Sequence, residues 1–153
     1  MKRLYIGALW MVFSLSILQA KEIKMSSPDG KYQFTLSDEG GNLHYSLNWN
    51  AKETIKPSLL GIKANAVWRD HLSLGDMTTA EQDTVWHPVY GERSTIKDQY
   101  KAWSVVINRQ NSRDKLVLDV RAYNEGVAFR YRFPGGQYLK ITDEFTEYTL
   151  PEG

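Results

Sequence analysis

Apolar side chains recur at every second residue along most of this chain, and that period of two limits the possible folds more than any other feature. Tyr32, Phe34 and Leu36 alternate with Lys31, Gln33 and Thr35. Leu43, Tyr45, Leu47 and Trp49 alternate with His44, Ser46 and Asn48. The pattern returns at Trp103, Val105 and Ile107, at Leu116, Leu118, Val120 and Ala122, and at Val127, Phe129, Tyr131 and Phe133. Successive strand side chains point to opposite faces, so each run describes a strand with one face buried, whereas an amphipathic helix repeats every 3.6 residues. Trp49, Trp103, Phe129 and Tyr131 are therefore expected in the core.

Turn clusters separate these runs: Pro28-Asp29-Gly30, Asp38-Glu39-Gly40-Gly41-Asn42, Asn50-Ala51-Lys52, Gln110 to Asp114, and Pro134-Gly135-Gly136. The second joins its flanking strands as a hairpin with a five-residue loop. Asn124-Glu125-Gly126 reads as a tight turn with Gly126 at positive φ. Residues 65–85 are mostly polar and lack a clear period, which predicts a long loop with room for one short strand. A last segment runs through Leu139, Ile141 and Phe145. Short strands, regular turns and no helical period describe an all-β protein, an antiparallel β-sandwich.

The N-terminus is different in kind. Met1-Lys2-Arg3 precedes an apolar run from Leu4 to Leu18, then Gln19-Ala20-Lys21. A basic start, a short apolar stretch and a small residue describe a secretory signal peptide over residues 1–20, cleaved after Ala20. An uncleaved anchor is the alternative, although the run is short against the ~20 residues of a membrane span. The domain division is thus 1–20 signal peptide and 21–153 sandwich, with a periplasmic or secreted product that leaves the membrane on cleavage. The whole chain has 19 basic and 18 acidic residues, and losing Lys2 and Arg3 leaves 17 and 18, a formal charge of −1. That balance offers no attraction for nucleic acid or an anionic membrane. No cysteine is present, which excludes disulfides, thiolate metal sites and a lipidated-cysteine anchor.

Three stretches carry a more specific signal. They are Trp86-His87-Pro88-Val89-Tyr90-Gly91-Glu92, Tyr100-Lys101-Ala102-Trp103, and Tyr123-Asn124-Glu125-Gly126-Val127-Ala128-Phe129-Arg130-Tyr131-Arg132-Phe133-Pro134. With Ser27-Pro28-Asp29-Gly30, Ile55 to Ile62 and Asp143-Glu144-Phe145-Thr146, their order and spacing resemble the N-terminal domain of glycoside hydrolase family 97, the alpha-glucosidase and alpha-galactosidase family. The resemblance implies a sandwich of the galactose-mutarotase-like (super-sandwich) type, followed in the family by a catalytic (β/α)8 barrel. The chain is expected to stop before that barrel and partway through the sandwich, which leaves the sandwich incomplete and prone to self-association. The family's catalytic carboxylates lie in the barrel. Its bound calcium, the cofactor of the full-length enzymes, takes its ligands outside this chain, including a glutamate expected beyond Gly153. No catalytic residue and no metal ligand is carried over.

Glycoside hydrolysis requires two carboxyl groups facing each other across the scissile bond. The candidates are Glu92, Asp98, Glu125, Asp143, Glu144 and Glu147. Glu125 belongs to a turn, and Asp143, Glu144 and Glu147 suit the polar positions of an edge segment. Glu92 is the carboxylate assigned to a binding or interdomain role. His44, His71 and His87 lack metal-ligand spacing, and His44 falls on a solvent face. Arg130 and Arg132 are expected on a solvated strand face. Trp86 and Tyr90 flank Pro88 and are not tied to a core stripe, so they are the choice for sugar stacking or barrel packing. The functional expectation is a non-catalytic, carbohydrate-associated domain of an exported alpha-glycosidase. Its expected partners are the barrel and alpha-linked glucosides or galactosides. A free-standing carbohydrate-binding module and a gene fragment without function are the alternatives.

Overall fold

The computed structural model describes residues 20–136 and 138–152. The signal-peptide reading falls on residues outside that range, apart from Ala20. A first sheet holds β1 (Glu22–Ser26), β2 (Tyr32–Ser37), β3 (Leu43–Trp49) and β4 (Lys52–Leu60) in chain order. A second is built from β7 (Leu72–Trp86), β8 (Ile96–Arg109), β9 (Lys115–Tyr123) and β10 (Gly126–Arg132), ordered β10-β9-β8-β7. A small third sheet places β5 (Ile62–Ala64) between β6 (Ala66–Trp68) and β11 (Ile141–Glu144). All pairings are antiparallel. The one helical piece among the described residues is a 3-10 turn at Glu39–Gly41, inside the expected five-residue loop.

The core lies between the two larger sheets. Phe34 and Leu36 of β2, Leu43 and Tyr45 of β3, Val105 and Ile107 of β8, and Leu116, Leu118 and Val120 of β9 are all buried in one cluster. Phe34 stacks on Tyr45 with centroids 5.5 Å apart, and Phe129 packs against both. The sandwich of alternating strands read from the sequence is the fold observed. Polar bonds also tie the layers. The Asp29 N–H donates to the Asn124 side-chain oxygen at 3.0 Å, joining the first turn of one sheet to the β9–β10 turn of the other. Beyond β11 the chain runs beside β4, with Phe145 N–H donating to Gly61 O at 2.8 Å and Glu147 N–H to Leu59 O at 2.9 Å.

Four expectations are corrected. Residues 65–85 form no long loop: they contain β6 and nearly all of β7, a strand that runs 15 residues. Only Leu72 and Leu74 of β7 are buried, and after the bulge at Gly75-Asp76 it is mostly exposed. With no core face to fill, it carries no apolar stripe, and its ladder with β8 keeps it extended. Trp49 is not core, because it ends β3 beside the turn Asn50-Ala51 and stays 46% exposed. Trp103, Phe129 and Tyr131 do pack against the core, partly buried. Gly126 does not take positive φ, since it pairs with Tyr123 as the first residue of β10, leaving Asn124-Glu125 as a two-residue turn. His44 is half-buried, not solvent-facing, and its Nδ1 is enclosed without a hydrogen-bond partner among the described residues.

Candidate functional site

β7 and β8 pair from Met77–Val105 out to Trp86–Ile96, and beyond Tyr100, where β9 stops pairing with β8, they continue as a two-stranded ribbon. β7 here carries Thr78, Thr79 and Thr84, and β8 carries long polar and aromatic side chains, both of which suit an exposed pleated surface. Cross-strand charges hold one face: Lys101 Nζ is 3.9 Å from Glu81, Lys97 Nζ is 3.9 Å from Asp83, and the Gln99 side-chain amide donates to Asp83 at 3.1 Å. Each such pair is exposed and contributes little alone. Together they favour this register over a slip by one residue, which would move these charges to opposite faces.

The sequence-selected residues all lie at the tip of this ribbon. Trp86 ends β7 at 51% exposure, and Tyr90 in the connecting loop is 91% exposed. Glu92 follows Gly91, whose φ of 136° bends the loop, and it forms no salt bridge among the described residues. Val85 and Val89 add exposed apolar surface. His87 closes the loop base, its Nδ1 lying 2.9 Å from Ser94 O and 3.4 Å from Thr95 Oγ1. The structure therefore brings Trp86, Tyr90 and Glu92 into one loop region far from the core. Their sequence proximity ensures that much, and no hydrogen bond among the described residues fixes them to one another.

Two arrangements were not legible in the sequence. One is an open groove of about 480 Å³ between the sheets, walled by Phe34, Tyr45, Leu47, Ile55, Phe129 and Tyr131. Tyr45 Oη donates to Glu147 O at 2.8 Å, and Tyr131 Oη lies 2.9 Å from Thr146 Oγ1. Burial pushes both phenols up to about 12, so they are neutral hydrogen-bonding groups at ordinary pH. Among the groove's lining residues Glu144 is the one carboxylate, with no second acid opposing it. The groove lies where β10, an edge strand, faces β4, so it marks an open side of the sandwich.

The other is a charge cluster on the outer face of the second sheet. Asp119 of β9 accepts from Ser104 Oγ at 2.7 Å, from Arg132 Nε and Nη2 at 2.8 and 2.9 Å, and from Arg130 Nε at 3.1 Å. Arg132 above all, helped by Ser104 and Arg130, holds this carboxyl well below the usual carboxylate range. Arg130 and Arg132 thus lie on an outer face as expected, but organised around an acid eleven and thirteen residues away. The paired-strand register Arg130–Asp119 is what brings them together.

Among the described residues no group of three or more His, Asp or Glu side chains converges on a point that could hold a metal ion. Asp143 and Glu144 are exposed on β11, as edge positions, and Glu125 is exposed in its turn.

Comparison with known proteins agrees with this architecture. The family model described as glycosyl-hydrolase 97 N-terminal matches residues 25–153. A retaining alpha-galactosidase of Bacteroides thetaiotaomicron is 23% identical over 153 residues, covering 99% of this chain and 22% of that protein. A glycoside hydrolase family 97 enzyme from Pseudoalteromonas sp. strain K8, solved in complex with panose, superposes with a TM-score of 0.77 at 28% identity, over 84% of this chain and 20% of that one. The same enzyme solved with acarbose gives the same score and identity. A beta-arabinopyranosidase shares the fold, with a TM-score of 0.78 at 24% identity over 85% of this chain and 21% of that one. The chain spans about a fifth of the length of these relatives. With two facing antiparallel sheets and a family match that takes in nearly every described strand, the chain belongs to the glycosyl hydrolase 97 family, to its N-terminal domain.

Proposed function

We propose that this chain is the non-catalytic sandwich of an exported alpha-glycosidase, and that it packs against a catalytic barrel through the tip of the β7–β8 ribbon. The observation that carries the reading is the concentration of large exposed apolar side chains at that tip: Val85, Trp86, Val89 and Tyr90. Aromatic residues that are wet in an isolated domain are the usual anchors of an interface, where they fill pockets on the partner. The ladder of the ribbon holds Val85 and Trp86 in place without the entropy cost of ordering a loop, and Val89 and Tyr90 sit on the loop that joins its two strands. Glu92 follows as the polar rim of the same surface, able to accept hydrogen bonds from the barrel.

Exposed Trp86 and Tyr90 also suit stacking on a sugar ring, and relatives have been solved with panose and acarbose. That second reading makes the chain a carbohydrate-binding module for alpha-linked glucosides or galactosides. One experiment separates the two. The purified chain is titrated with maltose-type oligosaccharides while tryptophan fluorescence is followed, and nitrophenyl alpha-glycosides are assayed in parallel. Barrel packing gives no saturable sugar response and no turnover above blank. A saturable response abolished by Trp86→Ala with Tyr90→Ala establishes the module instead. Turnover lost on changing one carboxylate of this chain would refute both.

A further inference from the structure

The least expected polar site in the molecule is at the start of β1. The main-chain N–H of Lys21 donates to Asp38 Oδ1 at 2.7 Å, while the other oxygen of that carboxylate accepts the Leu74 N–H at 2.9 Å. The Lys21 ammonium reaches the opposite sheet as well, donating to Gly75 O at 2.9 Å and Leu74 O at 3.4 Å. Asp38 N–H donates back to Lys21 O at 3.2 Å, so this pair continues the β1–β2 ladder, with the Asp38 side chain replacing a main-chain acceptor. Lys21 is thus held by Asp38 and by β7 at once, although it is exposed and, like Ala20, precedes β1.

We propose that Asp38 is the receptor for a new N-terminus at Lys21, created by a leader peptidase that cuts between Ala20 and Lys21. The hydrolysis consumes one water. Its oxygen ends on the Ala20 carboxylate, and its two hydrogens end on the Lys21 nitrogen, which becomes –NH3+. A bond from a neutral amide to the Asp38 carboxylate is thereby converted into an ion pair, which adds a Coulombic attraction that solvent partly screens. Because Asp38 also holds the start of β7, removal of the leader tightens the contact between the first strand and the second sheet. Charges around the new ammonium are Asp38, the Lys21 side chain, and, adjacent in sequence to these contacts, Glu22, Glu39 and Asp76. The inference does not depend on the barrel-packing reading.

The test has two arms. The precursor is expressed with export, and the product's N-terminus is sequenced. Chains beginning at Lys21 and at Ala20 are then compared, each with and without Asp38→Asn. The exported product is expected to begin at Lys21. The Lys21 chain should melt about 2–5 °C above the Ala20 chain, and Asp38→Asn should remove that difference. The α-amine of the Lys21 chain should titrate above its ordinary ~7.7–8.0 and return there in Asp38→Asn, a shift that a merely structural Asp38 would not cause. A product starting elsewhere, or an amine and a melting point indifferent to Asp38→Asn, overturns the proposal.

Discussion

Asp119→Asn is the change that most directly tests how the second sheet is held. The substitution keeps size and shape and removes the charge. In the native chain the carboxylate is 15% exposed and takes four hydrogen bonds, with Arg132 engaging both oxygens as a fork. A hydrogen bond to a charged group is worth ~1.5–3 kcal/mol when sheltered, and an exposed ion pair only ~0.2–1 kcal/mol. The Arg132 side chain is 44% exposed and that of Arg130 70%, so solvent screens both. A fork worth ~1 kcal/mol, a further ~0.5 for Arg130 and ~0.5 for the sheltered Ser104 bond give a loss of about 2 kcal/mol. Urea unfolding followed by tryptophan fluorescence at pH 7 reads this as a lower midpoint at unchanged slope.

The pH dependence supplies the sharper criterion. The native carboxyl is depressed below the ~3.9 of an unfolded Asp, so its contribution is fully present above that value and is lost as pH falls through the native one. The gap between native and variant should hold from pH 7 to 5 and shrink below about pH 4. A difference under ~0.5 kcal/mol at pH 7, or one that stays constant into acid, would show that the cluster is a solvated face with no energetic role.

Two further perturbations probe the core and the β7 bulge. Leu118→Ala removes a fully buried side chain at the centre of β9 and is expected to lower stability by ~2–5 kcal/mol in the same urea assay; a loss below ~1 kcal/mol would mean that the two sheets are not packed as described. Gly75→Ala places a Cβ 3.0 Å from Val106 O and 2.6 Å from the Asn108 side-chain amide, so it should destabilise by ~1–3 kcal/mol, and a neutral effect on the thermal midpoint would contradict the close approach of β7 to β8.

Sequence periodicity alone determined the strand interiors, because a strand that buries one face must place apolar residues at every second position. Phe34 and Leu36, Leu43 and Tyr45, Val105 and Ile107, and Leu116, Leu118, Val120 and Ala122 were all recognisable as inward residues, and all are buried. Turn chemistry at Asn50-Ala51 was legible too, where both residues adopt positive φ. Tertiary structure decided whatever depends on where a sheet ends. β7 lacked a period because most of it extends beyond the facing sheet and no burial selects its residues. Trp49 obeyed the alternation and still faces solvent, since its strand runs past the edge of the core. The choice of Trp86 and Tyr90 rested on their standing outside any core stripe, that of Glu92 on its place in the same short motif, and all three lie at the ribbon tip. Pairings between distant residues were beyond any local reading. Asp119 with Arg130 and Arg132, and Asp38 with Lys21 and Leu74, are set by strand register and sheet packing, which depend on the whole chain having folded.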